Sequence, residues 1–146
     1  MIKIKAADRE IRQLLTRLQG RLKDMSPVMR KIAGIMHDAV EENFEKEGRP
    51  KWTPLSPATI KQRKREGKWP GKILQRSGQL AASISEKYDS HSARVGTNKK
   101  YAAIQHFGGK AGRGHKVTIP ERPFLKLDGE DYLTIKNVVM EYLKRK

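Results

Sequence analysis

The stretch SPVMRKIAGIMHDAVEENFEKEG, residues 26–48, decides the fold, because it carries the clearest helical pattern in the chain. Its apolar residues recur every three or four positions, which places them on one face of an α-helix. They are Val28, Ile32, Ile35, Met36, Ala39, Val40 and Phe44. Ser26 and Pro27 suit the N-cap and the first helical position, and Gly48 followed by Pro50 suits the end. The stretch therefore predicts a helix with one buried face.

Two further helices are predicted toward the ends of the chain. Residues 6–25 contain one apolar stripe, which consists of Ile11, Leu14, Leu18 and Leu22. Residues 128–146 contain another, which consists of Ile135, Val138, Val139, Tyr142 and Leu143. Acidic residues at the start of the last segment and basic residues at its end match the helix dipole. We expect these stripes to pack with the one on residues 26–48 into a single core.

Short strands and helical turns are predicted between the helical ends. Residues 84–88 and 94–97 suit a β-hairpin with its turn at 89–92, and residues 116–119 suit a third strand. Because the strands cluster instead of alternating with helices, the class is α+β. The predicted architecture has two N-terminal helices, a small antiparallel β-sheet with short helical insertions, and a C-terminal helix. With 146 residues, we assign the chain to a single domain, 1–146.

The positive charge is concentrated in one segment. The formal net charge is +16, and residues 49–126 hold 18 basic residues against 4 acidic ones. The flanking helical segments, 1–48 and 127–146, are nearly balanced. Charge concentrated in this way repels itself unless a partner offsets it. That partner is nucleic acid or an acidic protein surface, and composition does not distinguish the two.

Several classes of protein are disfavoured by composition. The chain has no cysteine, so a disulfide framework, a thiolate nucleophile and a cysteine zinc site are excluded. No apolar run approaches the ~18 residues of a membrane span, so we expect no membrane partner. The charged start lacks the apolar region of a secretory signal, and we expect the protein to stay in a reducing cytoplasm.

The glycine-rich run at residues 108–114 fails as a phosphate-binding loop. A Walker motif starting at Gly109 requires lysine and then serine or threonine where the chain has His115 and Lys116. We expect a flexible loop, carrying Lys110 and Arg113, that becomes ordered on contact with a partner. The histidines at positions 91, 106 and 115 lack acidic or metal-ligand companions. The sequence therefore predicts no enzyme, no catalytic residue, no cofactor and no metal.

Four blocks of sequence carry a resemblance to a known family. They are WTPLSPAT (52–59), ILQRSGQL (73–80) followed by Ser83 and Ile84, VGTN (95–98) with YAAIQHFGG (101–109), and IPERPFL (119–125). Their order and spacing resemble those of the virion morphogenesis proteins of tailed phages, the Mu G-like and P2 S-like tail completion group. The resemblance covers about residues 50–127 and departs modestly, for example with Ser77 in place of threonine.

The resemblance implies a structural protein with no enzyme activity and no cofactor. It implies an α+β subunit that forms a ring, usually a hexamer, at the tail top or neck. Its partners would be other copies of itself, neighbouring neck or tail-tube proteins, and the packaged DNA in the channel. Its location would be the head–tail junction of the virion, after assembly in the host cytoplasm. The alternative is a free-standing basic nucleic-acid-binding protein, which rests on charge alone and would lose affinity steeply with salt.

The candidate partner-binding residues are all basic. They are Lys110, Arg113 and Lys116 of the glycine-rich run, Lys61, Arg63, Lys64 and Arg65 of a predicted short helix at 58–66, and Arg122. Arg122 lies between two prolines, where a side chain is held semi-rigidly. It suits a specific contact with a partner or the capping of a backbone carbonyl, and the sequence favours neither.

Overall fold

A computed structural model of the chain describes residues 9–145, apart from the side chains of residues 9–12 and 15. The helices are α1 (Arg9–Lys23), α2 (Ser26–Glu45), α3 (Pro57–Arg65), α4 (Gln79–Ala82), α5 (Ala102–Phe107) and α6 (Gly129–Lys144). The strands are β1 (Ser85–Tyr88), β2 (Ala93–Gly96), β3 (Gly109–Ala111) and β4 (Val117–Ile119), with a 3₁₀ turn at Arg113–His115. This arrangement confirms the predicted α+β class.

Helix α2 is the centre of the fold, as its periodicity predicts. Its second half, with Val40 and Phe44, packs into one buried cluster. The other members of that cluster are Trp52, Ile73, Leu80, Ile84, Ala102 and Phe124. The first half, with Val28 and Ile32, packs against the apolar face of α6. The predicted packing of α2 against α6 is therefore confirmed, but the buried residues form two clusters and not the expected single core.

The start of α2 is stabilised by a different residue from the one predicted. Ser26 is the first helical residue, and its side chain does not cap the helix. Instead, the Asp24 carboxylate accepts hydrogen bonds from the Ser26 backbone N–H, at 3.0 Å, and from the Ser26 hydroxyl. These two bonds lower the pKa of Asp24. At α3, by contrast, a serine does cap the helix, because the Ser56 hydroxyl accepts a hydrogen bond from the Thr59 N–H at 3.2 Å.

The prediction that α1 contributes to the core is wrong. Leu14 and Leu22 are 49% and 55% exposed, and the side chain of Ile11 lies outside the described residues. The last turn of α1 contacts α6, where the Arg21 Nη1 donates to the Leu143 carbonyl at 3.1 Å. The physical reason is that α6 covers the apolar face of the first half of α2 and leaves little of that face for the α1 stripe.

The strands form two separate hairpins. β1 pairs with β2 in antiparallel register, Ser85 opposite Gly96, as predicted. In the turn, the Asp89 carboxylate accepts hydrogen bonds from the backbone N–H groups of His91 and Ser92. The second sheet pairs β3 with β4. The predicted third strand is therefore confirmed as β4, but it lies in a second antiparallel sheet and not in the single sheet that we expected.

The glycine-rich run is a hairpin and not the expected irregular loop. β3 lies within this run and supplies the partner that the alternating pattern of β4 needs, Lys110 opposite Thr118. Glycine permits the backbone conformation of this hairpin, because Gly108 and Gly112 have φ of 72° and 79° with ψ near 180°. This backbone region is essentially restricted to glycine. The low side-chain content that suggested flexibility therefore serves a tight backbone path.

Replacing Gly108 with alanine is expected to destabilise the protein more than replacing Gly112. Both changes strain the backbone by about 1–3 kcal/mol. At Gly108 a Cβ would also lie 2.6 Å from the Glu121 backbone nitrogen, whereas at Gly112 the nearest atom is a Val117 methyl at 3.4 Å. Urea unfolding of the two variants measures the difference. Equal destabilisation would show that the contact with Glu121 carries no energy.

A partly buried ionic network joins the end of α2 to the start of α6. Asp128 caps α6, and its carboxylate and that of Asp131 form a reciprocal capping box. The Arg49 guanidinium donates to Asp128 at 2.8 Å and to Asp131 at 2.9 Å. Its Nε also donates to the side-chain oxygen of Asn43 at 2.7 Å. The network therefore fixes the position of α6 on α2.

Candidate docking surface

The predicted residues of the glycine-rich run lie together on the β3–β4 hairpin. Lys110 is in β3, Arg113 is in the 3₁₀ turn, and Lys116 immediately precedes β4. All three side chains are exposed. Within residues 9–145 none of them forms an ion pair with a carboxylate. The hairpin therefore presents three uncompensated cations to solvent.

The predicted basic residues of α3 divide into two groups. Lys61, Lys64 and Arg65 are exposed, but Arg63 is only 4% exposed. The Arg63 Nη1 donates to the Lys72 carbonyl at 2.9 Å, and this bond holds the loop that follows α3. Burial, and to a smaller extent the nearby Arg76, lowers the pKa of Arg63. Arg63 thus differs from its three neighbours in serving the interior of the protein.

Arg122 takes the carbonyl-capping role of its two predicted alternatives. It is 6% exposed, and its Nε and Nη2 donate to the Thr53 carbonyl at 3.0 and 2.9 Å. The Nη2 also donates to the Pro54 carbonyl at 3.1 Å. Arg122 therefore anchors the segment that precedes α3, and little of its side chain is left for a partner.

A groove of about 830 Å³ lies between this anchored segment and the β3–β4 hairpin. One wall is formed by residues 53–56 with α3, and the opposite wall by β4 and Pro120. Leu74, Leu80 and Tyr101 provide apolar surface within it. The groove also contains three guanidinium groups, those of Arg63, Arg76 and Arg122, and no carboxylate among the described residues that line it.

The groove arginines lie close enough to repel one another. Burial lowers the pKa of Arg122, and the charge of Arg63 lowers it further. Among the described residues, Arg76 is the one groove arginine in an ion pair: its Nε and Nη2 form a fork on the Glu66 carboxylate, with the Nε at 2.9 Å. This fork lowers the pKa of Glu66. A site of this kind favours anionic over cationic or neutral ligands.

Sequence reasoning missed the groove as a site. Arg76 and Tyr101 lie within two of the blocks quoted above, but no local pattern connects them with β4. Apolar side chains of the groove also reach the surface, because Tyr101 is 43% exposed and Val117 is 56% exposed. Their neighbourhood combines apolar side chains with cations, which is typical of protein–protein interfaces.

The two tryptophans differ in how deeply they are buried. Trp52 is buried, and its ring meets that of Phe44 edge-on at 6.0 Å. Trp69 is about one-third exposed and borders a shallow hollow with Ile60 and Ile73. This position suits an anchor for the loop that follows α3.

The histidines occupy three different environments. The His106 ring packs edge-on against Phe124 at 5.3 Å, and its Nδ1 accepts a hydrogen bond from the Leu125 N–H at 3.3 Å. Burial lowers the pKa of His106, opposed by a smaller effect of Glu121. His91 and His115 are exposed, at two different turns. Among residues 9–145 no group of three or more His, Asp or Glu side chains is arranged to hold a metal ion.

In that same part of the chain, no helix has the length and apolar character needed to span a membrane. The family of the protein follows from the sequence as a whole and not from the geometry of this surface. Residues 6–144 match the model of the phage virion morphogenesis family. No solved structure matches the chain.

Curated relatives agree with that match. The chain is 44% identical over 135 residues to Mu-like prophage FluMu G protein 2 of Haemophilus influenzae, covering 92% of this chain and 90% of the relative. It is 32% identical over 106 residues to the putative capsid assembly protein G of Escherichia phage Mu, covering 69% and 68%. FluMu G protein 1 of Haemophilus influenzae is 32% identical over 133 residues, covering 84% and 86%.

Proposed function

The chain belongs to the phage virion morphogenesis family, and from that premise we propose that it is a tail completion component that joins phage heads to tails. Its role is structural, in virion assembly, and the family is not a known class of enzyme. The name of the Mu relative, a putative capsid assembly protein, supports a place beside the capsid. We place the protein at the head–tail junction of the virion.

The single observation that carries this proposal is the basic hairpin. Lys110, Arg113 and Lys116 are exposed and have no acidic partner within the described chain. Val117, the residue after Lys116, is exposed as well, and so is Phe107 at the end of α5, two residues before β3 begins. A neighbouring virion protein with an acidic, partly apolar rim would satisfy both features, whereas DNA in the channel would satisfy only the charge. We therefore favour a protein contact over contact with packaged DNA.

A ring of copies is the proposed form of the assembled protein. Each two-stranded sheet has edges without a partner strand in the described chain, and such edges pair readily with another chain. The exposed leucines of α1 provide apolar surface for a contact between neighbours. A hexamer is the expected number of copies, as the family resemblance implies. The assignment of residues 1–146 to one domain is part of this proposal.

Neutralising the hairpin is expected to block the joining of heads to tails. The test replaces Lys110, Arg113 and Lys116 with glutamine together in a phage or prophage whose own copy of the gene is deleted. Free heads and free tails are counted by electron microscopy after complementation. Single changes should have little effect, because exposed charge contacts are individually weak, about 0–1 kcal/mol.

A matched control replaces the exposed cations of α3, Lys61, Lys64 and Arg65, with glutamine. This change removes the same charge from a different surface and should leave particle yield near that of the wild type. A normal yield from the hairpin variant would contradict the proposal. Loss of joining in the α3 variant alone would place the contact on α3.

A further inference from the structure

We propose that the arginine-lined groove binds an extended, acidic segment of a partner protein, which adds a strand to the free edge of β4. The inference goes beyond head–tail joining, because it concerns the ligand that this groove accepts. Peptide binding by the groove can be measured on the purified protein, independently of head–tail joining. The hairpin cations tested above lie outside the walls that it uses.

The edge of β4 is the first observation behind the proposal. β4 pairs with β3 on one side, and no other strand of the described chain pairs with its second side. Four consecutive residues, 117–120, line the groove. Because successive side chains of a strand point to opposite faces, a run of consecutive lining residues is the pattern that a strand edge gives. The proposed partner strand would pair with the N–H and C=O groups on this free edge of β4.

The charge of the groove selects an acidic occupant. Arg63, Arg76 and Arg122 line it without any acidic residue in the described lining. Arg63 and Arg122 are held in place by backbone carbonyls, and the buried Arg63 Nε has no hydrogen-bond partner in the described chain. A carboxylate bound at the half-exposed Arg76 would also lie in the positive field of the two buried guanidinium groups. A basic segment would be repelled.

Arg76 is the arginine best placed to bind a ligand carboxylate. Its side chain is about half-exposed, and it already grips the Glu66 carboxylate through a two-pronged fork. Glu66 thus occupies the position that a carboxylate of the partner would compete for. Removing Glu66 should therefore strengthen binding, and removing Arg76 should weaken it. These opposite effects distinguish a ligand site from a structural ion pair, for which both changes act in the same direction.

The walls of the groove favour a peptide over a nucleic acid. An extended peptide carries N–H and C=O groups that match the edge of β4, and its alternate side chains suit the apolar surface of Leu55, Leu74 and Tyr101. A phosphodiester backbone has no donor to pair with the strand. Recognition by strand addition and a charged anchor therefore fits the groove best.

The test selects a ligand from a ribosome-displayed library of random nonapeptides on the immobilised full-length protein. Selected peptides are then labelled and titrated by fluorescence anisotropy. We expect enrichment of peptides with aspartate or glutamate among β-branched or apolar residues. Arg76→Gln should weaken their affinity about tenfold, the effect of losing roughly 1.4 kcal/mol of a bidentate charged contact. Glu66→Gln should strengthen it, and N-methylation of the peptide backbone should weaken it.

Lys87→Gln is the matched control, because Lys87 is an exposed cation of β1 outside the groove. Its affinity for the selected peptides should equal that of the wild type. Thermal unfolding checks that each variant is folded. If Arg76→Gln does not fold, the affinities of Glu66→Gln and of the N-methylated peptides still test the proposal. Absence of acidic enrichment, or unchanged affinity in Arg76→Gln, would overturn the proposal. So would a short single-stranded oligonucleotide that binds more tightly than the selected peptides in an Arg76-dependent way.

Discussion

Replacing Phe124 with alanine should lower the free energy of unfolding by about 3–5 kcal/mol, the range for removing a large aromatic side chain from a packed core. Phe124 is fully buried, at 0% exposure. Its ring lies 5.3 Å from that of Phe44 in α2 and 5.3 Å from that of His106 in α5. The side chain therefore joins elements from three parts of the chain, and the cavity left by its removal cannot be filled by one local shift.

Urea unfolding followed by circular dichroism measures this loss. Tyr132→Ala is the matched control, since Tyr132 is an aromatic residue of α6 that is 62% exposed. Its removal should change stability by no more than about 0.5 kcal/mol. If both variants unfolded at the same urea concentration, the position of Phe124 at the centre of the core would be wrong.

Replacing Arg49 with methionine should destabilise the protein by roughly 2–4 kcal/mol. The change keeps much of the side-chain volume but leaves Asp128 and Asp131 without their shared cation. It also frees the side-chain oxygen of buried Asn43, whose Nδ2 donates to the Phe124 carbonyl at 2.8 Å. The expected loss is below that of a fully buried pair because the Arg49 side chain is still 12% exposed.

The dependence on pH gives a second test of the Arg49 network. The pKa of Asp128 is lowered, first by the hydrogen bond from the Asp131 backbone N–H and then by the charge of Arg49. A carboxyl whose pKa is lower in the folded protein stabilises the fold above its unfolded value of 3.8, and that contribution is lost as pH falls through the folded value. The difference in free energy of unfolding between the wild type and Arg49→Met should therefore become smaller as the pH falls through the pKa of Asp128 in the folded protein.

Arg49→Lys is the control for charge without the guanidinium fork. It should fall between the wild type and Arg49→Met, because lysine keeps the cation but cannot donate to both carboxylates and to Asn43 in the same geometry. Equal stability of the lysine and methionine variants at neutral pH would show that the charge itself contributes nothing. A difference that stayed constant with pH would contradict the assigned role of the carboxylates.

The docking surface could be predicted from the sequence only in part. The net charge of residues 49–126 indicated a basic surface, and Lys110, Arg113 and Lys116 are indeed exposed. Charge alone could not show that Arg63 and Arg122 are buried. The basic residues of a helix, or an arginine between two prolines, have the same sequence whether the side chain is exposed or covered by another element. Their carbonyl partners, Lys72 and Thr53, are set by the path of the chain and not by residue type.

What the sequence determined by itself is what neighbouring residues specify together. The helical periods of α2 and α6 and the hairpin turn at Asp89 depend on residues within one or a few turns of each other. The family resemblance depends on the order and spacing of four sequence blocks. The tertiary structure alone decided that α1 lies outside the core, that the glycine-rich run pairs as a hairpin, and that three arginines line one groove. These outcomes depend on competition for the same surface between elements far apart in the chain, such as α6 and α1 for the first half of α2. Local patterns contain no information on which competitor prevails, because the energy that decides it comes from buried contacts made only after the chain has folded.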